Sequence, residues 1–394
     1  MFVLNKSGDD DKTERTARST WISEARQQLS GAALNALLYR YRADETFSFE
    51  NYWTSAPTSA LLDRAQGSQI VNLHWTRGLV TSRQARRIAE ATGARIVWTL
   101  MDLGMLTGGC HYMHGCTGYQ NACGRCPRIR STSSFDISRR NWKHRKRSFT
   151  ALQPTIVACN RWTRDRAKES SLFRDVRCEI IPLAIDVEVF RPIPRALARE
   201  VLGLPSSGRI VFCGALKMGQ SRKGMESLVE ALGQLRQKLD PERLKDSPVM
   251  LLTAGTGANF ASRLQLAFPH HHLGLLGDDR SLALAYSAAD LFVSPSIEDA
   301  GPMMVNESLA CGTPVVAYAI GTAADQVETG ATGWLAPLGD TGELAHGLAR
   351  ILDSSDPEGL RVRSREVAVA AYSPAHVARR YLDLYADLAS GTPR

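Results

Sequence analysis

Residues 294–317, Ser-Pro-Ser-Ile-Glu-Asp-Ala-Gly-Pro-Met-Met-Val-Asn-Glu-Ser-Leu-Ala-Cys-Gly-Thr-Pro-Val-Val-Ala, admit few folds. Just ahead of them, Leu291-Phe292-Val293 is a short apolar run suited to a buried strand. Pro302 sits where a helix would open, because its fixed φ suits the first helical position and its missing N–H is not needed there. Gly312 stands where that helix must stop, and Pro314 forbids continuation. Val315-Val316-Ala317 then resumes a strand. Two acids bracket the unit, Asp299 in the loop and Glu307 about five residues, or roughly 7.5 Å, into the helix. A helix N-terminus offers free N–H groups and a positive dipole end, and so a place for an anion such as a diphosphate. An acid one turn deeper cannot serve that phosphate, but it can accept hydrogen bonds from sugar hydroxyls attached to it.

A chain of 394 residues exceeds one ordinary core and implies two domains. Gln69–Trp75 reads as a buried strand, Arg83–Thr92 as a polar helix and Ala94–Leu100 as the next strand. An irregular stretch rich in Gly and Cys runs from Asp102 to Asp136, and a helix opening at Asp136 or Ser138 continues to Leu152. Thr155–Cys159 is a strand, Arg161–Ser170 a helix, and Val176–Pro182 extends the alternation. The pattern pauses at the proline-rich crossing Phe190-Arg-Pro-Ile-Pro194, read as the domain boundary. It restarts with strand Arg209–Cys213, helix Gly224–Leu239, strand Pro248–Thr253, helix Arg280–Ala289, strands Leu291–Val293 and Pro314–Tyr318, and a last helix Pro374–Leu388. The expected organisation is one domain over 1–190, a second over 191–373, and a C-terminal helix within 374–394 that packs back on the first. Strands alternating with helices imply α/β domains with parallel, doubly wound sheets, which bind ligands at the carboxyl ends of their strands.

Charge is spread unevenly. Residues 1–180 hold 28 Lys+Arg against 16 Asp+Glu, whereas the remainder holds 20 against 24. The basic half should attract an anionic partner, either a phospholipid surface or a lipid diphosphate. No nucleic-acid-binding motif is visible, so nucleic acid is not an expected partner. No apolar run is long enough to span a bilayer, and the opening Met1–Asp10 does not read as a signal peptide, so the expected location is the cytoplasm. Arg139-Arg-Asn-Trp-Lys-His-Arg-Lys-Arg147 places six cations on a helix. It reads either as a solvated face or as a contact with anionic membrane, peripheral on the inner face of the cell membrane.

Of eight cysteines, Cys159, Cys178, Cys213 and Cys311 read as small core residues. Cys110, Cys116, Cys123 and Cys126 are clustered, the last two as Cys-x-x-Cys, and His111 and His114 lie among them. Four thiolates suit tetrahedral zinc. The spacing leaves a structural zinc, free thiols and disulfides all open.

Asp299 and Glu307, with seven residues between them, and the Ala-Cys-Gly-Thr-Pro-Val-Val run of 310–316 resemble the donor-sugar signature of glycosyltransferase family 4. These are retaining enzymes of the GT-B fold, in which two Rossmann-like domains face a cleft. Asp299 stands where the family usually has Glu, and Glu298 is one residue out of register. The resemblance covers roughly residues 70–390, and Thr99–Tyr112 resembles a stretch of a bacterial polysaccharide branch. It implies a nucleotide diphosphate sugar as donor, with Glu307 on the ribose. Asp299, with the backbone from Ala300 through Gly301, Pro302 and Met303 to Met304, would hold the donor sugar. Gly214–Gly224 follows a strand and opens a helix, which makes a phosphate loop. Gly214 and Ala215 would line it, and Lys223 would neutralise the leaving diphosphate. Many relatives carry Arg at the position of Ala215, and here Arg222 is the candidate substitute. Leu273–Gly277, with Gly277, resembles the stretch that lines the base.

In the first half Met101 stands where such relatives often have a donor-contacting His. Asp102 reads either as the acceptor of a hydroxyl proton or as a cap on the following turn. Thr107-Gly108-Gly109 would let backbone approach the substrate. His74 would face the cleft or be a buried, hydrogen-bonded core residue. The Gly-rich opening loop of the family reads here Lys6-Ser-Gly-Asp-Asp-Asp-Lys12, with three acids. The implied activity is retaining transfer of a sugar to a hydroxyl of a bacterial glycan or lipid-linked acceptor. No catalytic metal is expected, and front-face departure and attack are favoured over a covalent intermediate. The alternatives are a sugar-nucleotide epimerase or phosphorylase of the same fold, or a silent nucleotide- or glycan-binding paralogue.

Overall fold

The computed structural model describes residues 56–76, 78–257, 266–301 and 303–391, together with a parallel strand pair, Phe2–Val3 and Glu14–Arg15. Pro302 and the Lys6–Lys12 loop lie outside the described residues. The chain packs as two compact units. The first runs to Cys159 and takes in Thr163–Ile181 and the stretch from Leu382, while the second holds Asn160–Trp162 and Pro182–Tyr381.

The first unit carries a four-stranded parallel sheet in the order β1 (Ile70–His74), β2 (Arg95–Leu100), β3 (Thr155–Ala158) and β4 (Cys178–Ile180). Its helices are α1 (Thr58–Ala65), α2 (Ser82–Thr92), α3 (Ile137–Leu152) and α4 (Arg161–Glu169), the last opening in the Asn160–Trp162 segment that packs with the second unit. Helix α2 begins at a capping box, in which Thr81 accepts from Gln84 N and the Gln84 side chain accepts from Thr81 N. Helix α3 begins where Asp136 accepts from Arg139 N. Trp98 on β2 meets Phe149 of α3 edge-on at 5.5 Å, and Phe149 meets Phe173 at 4.7 Å.

The second unit carries a six-stranded parallel sheet. Its strands are β5 (Arg209–Lys217), β6 (Val249–Thr256), β7 (His270–His272), β8 (Leu291–Ser294), β9 (Val315–Tyr318) and β10 (Gly333–Ala336), in the order β10-β9-β8-β5-β6-β7. The chain adds strands outward from β5 in one direction, then returns and adds them in the other. That reversal between β5 and β8 is where an open α/β sheet leaves a crevice for ligand. The helices are α5 (Arg195–Val201), α6 (Met225–Lys238), α7 (Pro241–Asp246), α8 (Asp279–Ala288), α9 (Met303–Ala310), α10 (Gly321–Gln326), α11 (Thr341–Leu352), α12 (Pro357–Tyr372) and α13 (Pro374–Ala389). Ile210 and Phe212 of β5 enter one apolar cluster and Val211 and Cys213 the other. This is the period of a strand buried on both faces. None of the described helices is long and apolar enough to cross a membrane.

The first unit gives way to the second at Ile181/Pro182, ahead of the proline-rich crossing at Phe190–Pro194 where the boundary was expected. Helix α13 opens at Pro374, as expected, and is divided between the units after Tyr381. Its later turns hold to the first unit through Asn72 Nδ2 donating to Tyr385 Oη at 2.7 Å and Arg177 paired with Asp387 at 2.6 Å. Just before it, Tyr372 at the end of α12 is buried in the second unit and accepts from Ile185 N at 3.1 Å.

One buried ion pair ties the start of the second sheet together. Arg199 of α5 donates to the Ala288 carbonyl and to Asp290 at 3.0 Å each, and to the carbonyls of Ser206 and Gly208. Asp290 also accepts from Ile210 N at 2.7 Å, which sets the first residues of β5. Burial lowers the Arg199 pKa, so its charge depends on these acceptors. Asp290→Ala should therefore lower the urea midpoint by the equivalent of about 3–5 kcal/mol, because it strands a buried cation. A change below about 1 kcal/mol would show that the carbonyls alone satisfy Arg199.

Candidate functional site

At the reversal in strand order, the loops leaving β5 and β8 lie against each other. Gly224 stands at φ +66°, and a Cβ there would come within 1.8 Å of the Pro295 carbonyl oxygen. Ile297 N donates to the Arg222 carbonyl at 2.8 Å. Gly214, at the end of β5, would put a Cβ 2.4 Å from Met304 Cε. Gly224 is required because the two loops touch there through their backbones, whereas at Gly214 the neighbour is the end of a flexible side chain. Lys223 lies in a single 3-10 turn, Ser221–Lys223, with Gly224 capping α6 behind it, so it precedes the helix by one residue.

This packing delivers two cations to one buried carboxylate. Lys223 Nζ donates to Asp299 Oδ2 at 2.5 Å and Arg222 Nη1 to the same oxygen at 3.3 Å. Asp299 is only 4% exposed, and its Oδ1 accepts from Gly301 N at 3.4 Å. The three residues expected to act separately therefore form one cluster. Arg222 is tied to the β8 loop a second time through the Glu298 carbonyl at 3.4 Å.

Glu307 lies one to two turns into α9, buried beneath the loop. Tyr286 of α8 donates to its Oε2 at 2.9 Å. Burial raises the Glu307 pKa to about 7 against that hydrogen bond, which pulls the other way. The sequence carried no signal for Tyr286, since an aromatic on the inner face of a helix reads as core. It missed Asn160 as well, which donates to the Ala300 carbonyl at 2.5 Å and to Thr322 at 3.3 Å. Ala300 is fully buried, and the partly buried Met303 and Met304 pack against the apolar core. Ala215 is buried beside Gly255, whose Cβ would lie 1.8 Å from the Ala215 carbonyl oxygen. Gly277 is exposed after β7, with nothing near its Cβ position, so packing does not require a glycine there.

The first unit corrects several readings. Asp102 accepts from Gly104 N at 2.8 Å and also holds His111 Nδ1, so it caps the turn and positions a histidine. Trp75 is half exposed at φ +39°, with its ring 5.8 Å from that of His111, and Met101 is 37% exposed. Gly108 is packed: a Cβ would lie 2.3 Å from the Ser138 carbonyl oxygen. Its flexibility serves that contact and does not open backbone to a substrate. Of the six cations of α3, Arg145 is buried and donates to the Gly104 and Thr107 carbonyls at 2.5 and 2.6 Å. Lys146 reaches the Ser171 carbonyl at 2.8 Å and Arg139 the Cys123 carbonyl at 3.4 Å. Arg140, Lys143 and Arg147 remain as an exposed stripe.

Residues 207–354 match the protein family described as Glycosyl transferases group 1. The chain is 32% identical over 222 residues to the D-inositol 3-phosphate glycosyltransferase of Mycolicibacterium smegmatis, covering 53% of this chain and 47% of that protein. It is 31% identical over 187 residues to D-inositol 3-phosphate glycosyltransferase 2 of Catenulispora acidiphila, covering 45% and 43%. The chain thus spans less than half the length of these curated relatives. Among solved structures, the sucrose-phosphate synthase of Thermosynechococcus elongatus superposes with a TM-score of 0.63 at 22% identity, over 85% of this chain and 78% of that one. Anabaena Alr3699/HepE in complex with UDP and glucose superposes at 0.61 with 15% identity, over 84% and 81%. At these identities the likeness is one of fold, and the fold is GT-B: two Rossmann-like α/β units with parallel sheets.

The buried acid has a consequence for stability. Folded Glu307 keeps its proton to about pH 7, whereas a free glutamate loses it near 4.5. Between those values the folded state holds the extra proton, so stability falls as pH rises through that window and levels off above it. Glu307→Gln should remove this slope, which corresponds to about 2–3 kcal/mol between pH 5 and pH 8 out of about 3.5 kcal/mol over the whole window, at about 1.4 kcal/mol per pKa unit. Denaturant melts at pH 5 and pH 8 check it, and equal slopes in variant and parent would place the Glu307 pKa near its ordinary value.

Proposed function

We propose that this chain is a retaining glycosyltransferase of family 4, in the bacterial polysaccharide branch. It would move a sugar from a nucleotide diphosphate sugar to a hydroxyl of a glycan or lipid-linked acceptor. The observation that carries this reading is the Lys223–Arg222–Asp299 cluster at the strand-order reversal, directly ahead of the helix that buries Glu307. The names of the relatives and the UDP and glucose bound to HepE support sugar transfer from a nucleotide sugar, while the branch and the acceptor rest on the sequence resemblance.

The chemistry follows from charge. A diphosphate seated before α9 meets backbone N–H groups at the positive end of the helix. Lys223 and Arg222 bring two cationic donors to the seat of the diphosphate, so they favour the anion more as the glycosidic bond breaks and charge develops. As the phosphates take the cations, the Asp299 carboxylate is released toward the hydroxyls of the donor sugar, beside the backbone of Ala300, Gly301 and Met303. Glu307 has one oxygen occupied by Tyr286 and offers the other to the ribose. A carboxylate receiving two ribose hydroxyls is favoured in its ionised form, so nucleotide binding near pH 6.5 should release a proton. No side chain of the cluster is a free nucleophile, which fits departure and attack on one face of the sugar. The second unit would be the donor half and the first the acceptor half.

A thermal-shift screen over nucleoside diphosphate sugars, followed by hydrolysis of the best binder without acceptor, tests the activity. Slow hydrolysis supports a transferase, interconversion of sugars indicates an epimerase, and binding with neither indicates a silent paralogue. Lys223→Ala should lower turnover by about 100-fold or more while changing donor affinity less, as expected for a group acting on the departing charge. Equal losses in both would restrict Lys223 to ground-state binding.

The exposed Arg140–Lys143–Arg147 stripe supports docking on anionic membrane, each cation contributing roughly 1 kcal/mol near such a surface. Replacing these three with Gln should weaken co-sedimentation with phosphatidylserine vesicles by about two orders of magnitude, at roughly 1 kcal/mol per cation, and added salt should do the same to the parent. Arg139 and Arg145 are left in place because they hold the fold. A parent that never sediments with such vesicles at low salt would leave the stripe a solvated face.

A further inference from the structure

Between β2 and α3 the chain runs from Met101 to Asp136 through three 3-10 turns, Gly104–Leu106, Gly118–Gln120 and Pro127–Ile129, and no α-helix. A connection this long with so little secondary structure needs something to organise it. The small apolar cluster at its centre is made of Cys126 and Ile129, with Cys110 and Ile137 against it.

Cys110, Cys116, Cys123 and Cys126 are all free thiols and all line one cavity of about 20 Å³. That is room for about one water-sized sphere. The backbone is bent to bring them there. Cys123, Gly124 and Arg125 stand in succession at φ +51°, +98° and +48°, and His114 and Gly115 at +48° and +78°. Non-glycine residues adopt such angles only where the surroundings hold them. Backbone amides aim at the sulfurs: Gly108 N donates to Cys123 Sγ at 3.2 Å and Gly118 N to Cys116 Sγ at 3.4 Å. The amides of Arg128 and Ile129 do the same for Cys126.

From this arrangement we propose that the four cysteines bind one structural zinc ion. Four thiolates complete a tetrahedral shell and leave no position for substrate, so the ion would fasten the loop and take no part in transfer. Binding releases four thiol protons to solvent, and the excess negative charge of the resulting site faces the aimed amides. His111 is held by Asp102, and neither it nor His114 lines the cavity, so the histidines are not ligands. Among the described residues no three His, Cys, Asp or Glu donors already stand at metal-holding geometry. The ion must therefore draw the sulfurs inward from the wall of the cavity they share.

Elemental analysis of full-length protein, purified without a His tag or added metal, tests this. About one zinc per chain is expected, released by a mercurial reagent, with a lowered melting temperature after chelation. Cobalt(II) exchanged into the protein should give the absorption of a tetrahedral thiolate site. Cys116→Ser and Cys123→Ser should each reduce zinc content, whereas Cys178→Ser, outside the cavity, should not. If a cavity variant fails to fold, the parent's metal content and cobalt spectrum still decide. No metal with four titratable thiols would overturn the proposal. No metal with two fewer thiols would also overturn it, in favour of a disulfide, and so would a different metal in zinc's place.

Discussion

The backbones of two loops touch where the second sheet reverses its strand order, and the candidate site is built on that contact. Gly224 lies against the Pro295 carbonyl, with no room for a Cβ, and Gly214 lies against the end of the Met304 side chain. The approach is what lets Arg222 and Lys223, on one loop, reach Asp299 on the other. It also aligns the opening of α9 with the end of β5. A side chain at Gly224 would push the loops apart by more than the length of the Lys223–Asp299 hydrogen bond tolerates.

Behind that contact the site becomes progressively less polar. Asp299 is buried but faces two cations, whereas Glu307 is buried with a single neutral donor, Tyr286. Two carboxylates a few residues apart in sequence thus sit in opposite electrostatic settings. One is paired with two cations, and burial lets the other keep its proton to near neutrality. Different environments of this kind allow neighbouring acids to serve different groups of one ligand.

Local chemistry decided what could be read from the sequence. The Pro314 break, the Gly312 stop and the apolar triplet at 291–293 mark strand, helix end and strand without any tertiary knowledge, and those elements stand where expected. Strand β10, Gly-Trp-Leu-Ala, has neither alternation nor length, and the reading passed over it. The His270–His272 strand is defined mainly by pairing with β6 and offered little pattern of its own. Asp299, Glu307, Lys223 and Arg222 were all legible as candidates, but their gathering into one ion cluster was not. That cluster depends on a loop-to-loop approach that Gly224 permits and whose other side, Pro295, lies far along the chain. Tyr286 and Asn160 were invisible for the same reason, since each acquires its role through a partner more than a turn of chain away. In the basic helix, sequence counted six equivalent cations, and packing divides them into three that hold carbonyls and three that face solvent.

The first unit is discontinuous, and this bears on the order in which the chain can be finished during synthesis. Asn72 on β1 receives its partner from Tyr385, 313 residues later, and Arg177 receives Asp387. At roughly 5–20 residues per second, Asn72 waits on the order of 15–60 s for that partner to leave the ribosome. The half of the protein that is made first is thus the half completed last. Until then its sheet stands without the final turns of α13, and the whole second unit has been translated in the interval. A nascent chain stalled just before residue 385 would carry a second unit close to complete and a first unit still open, which makes the open half the natural target for chaperones and proteases.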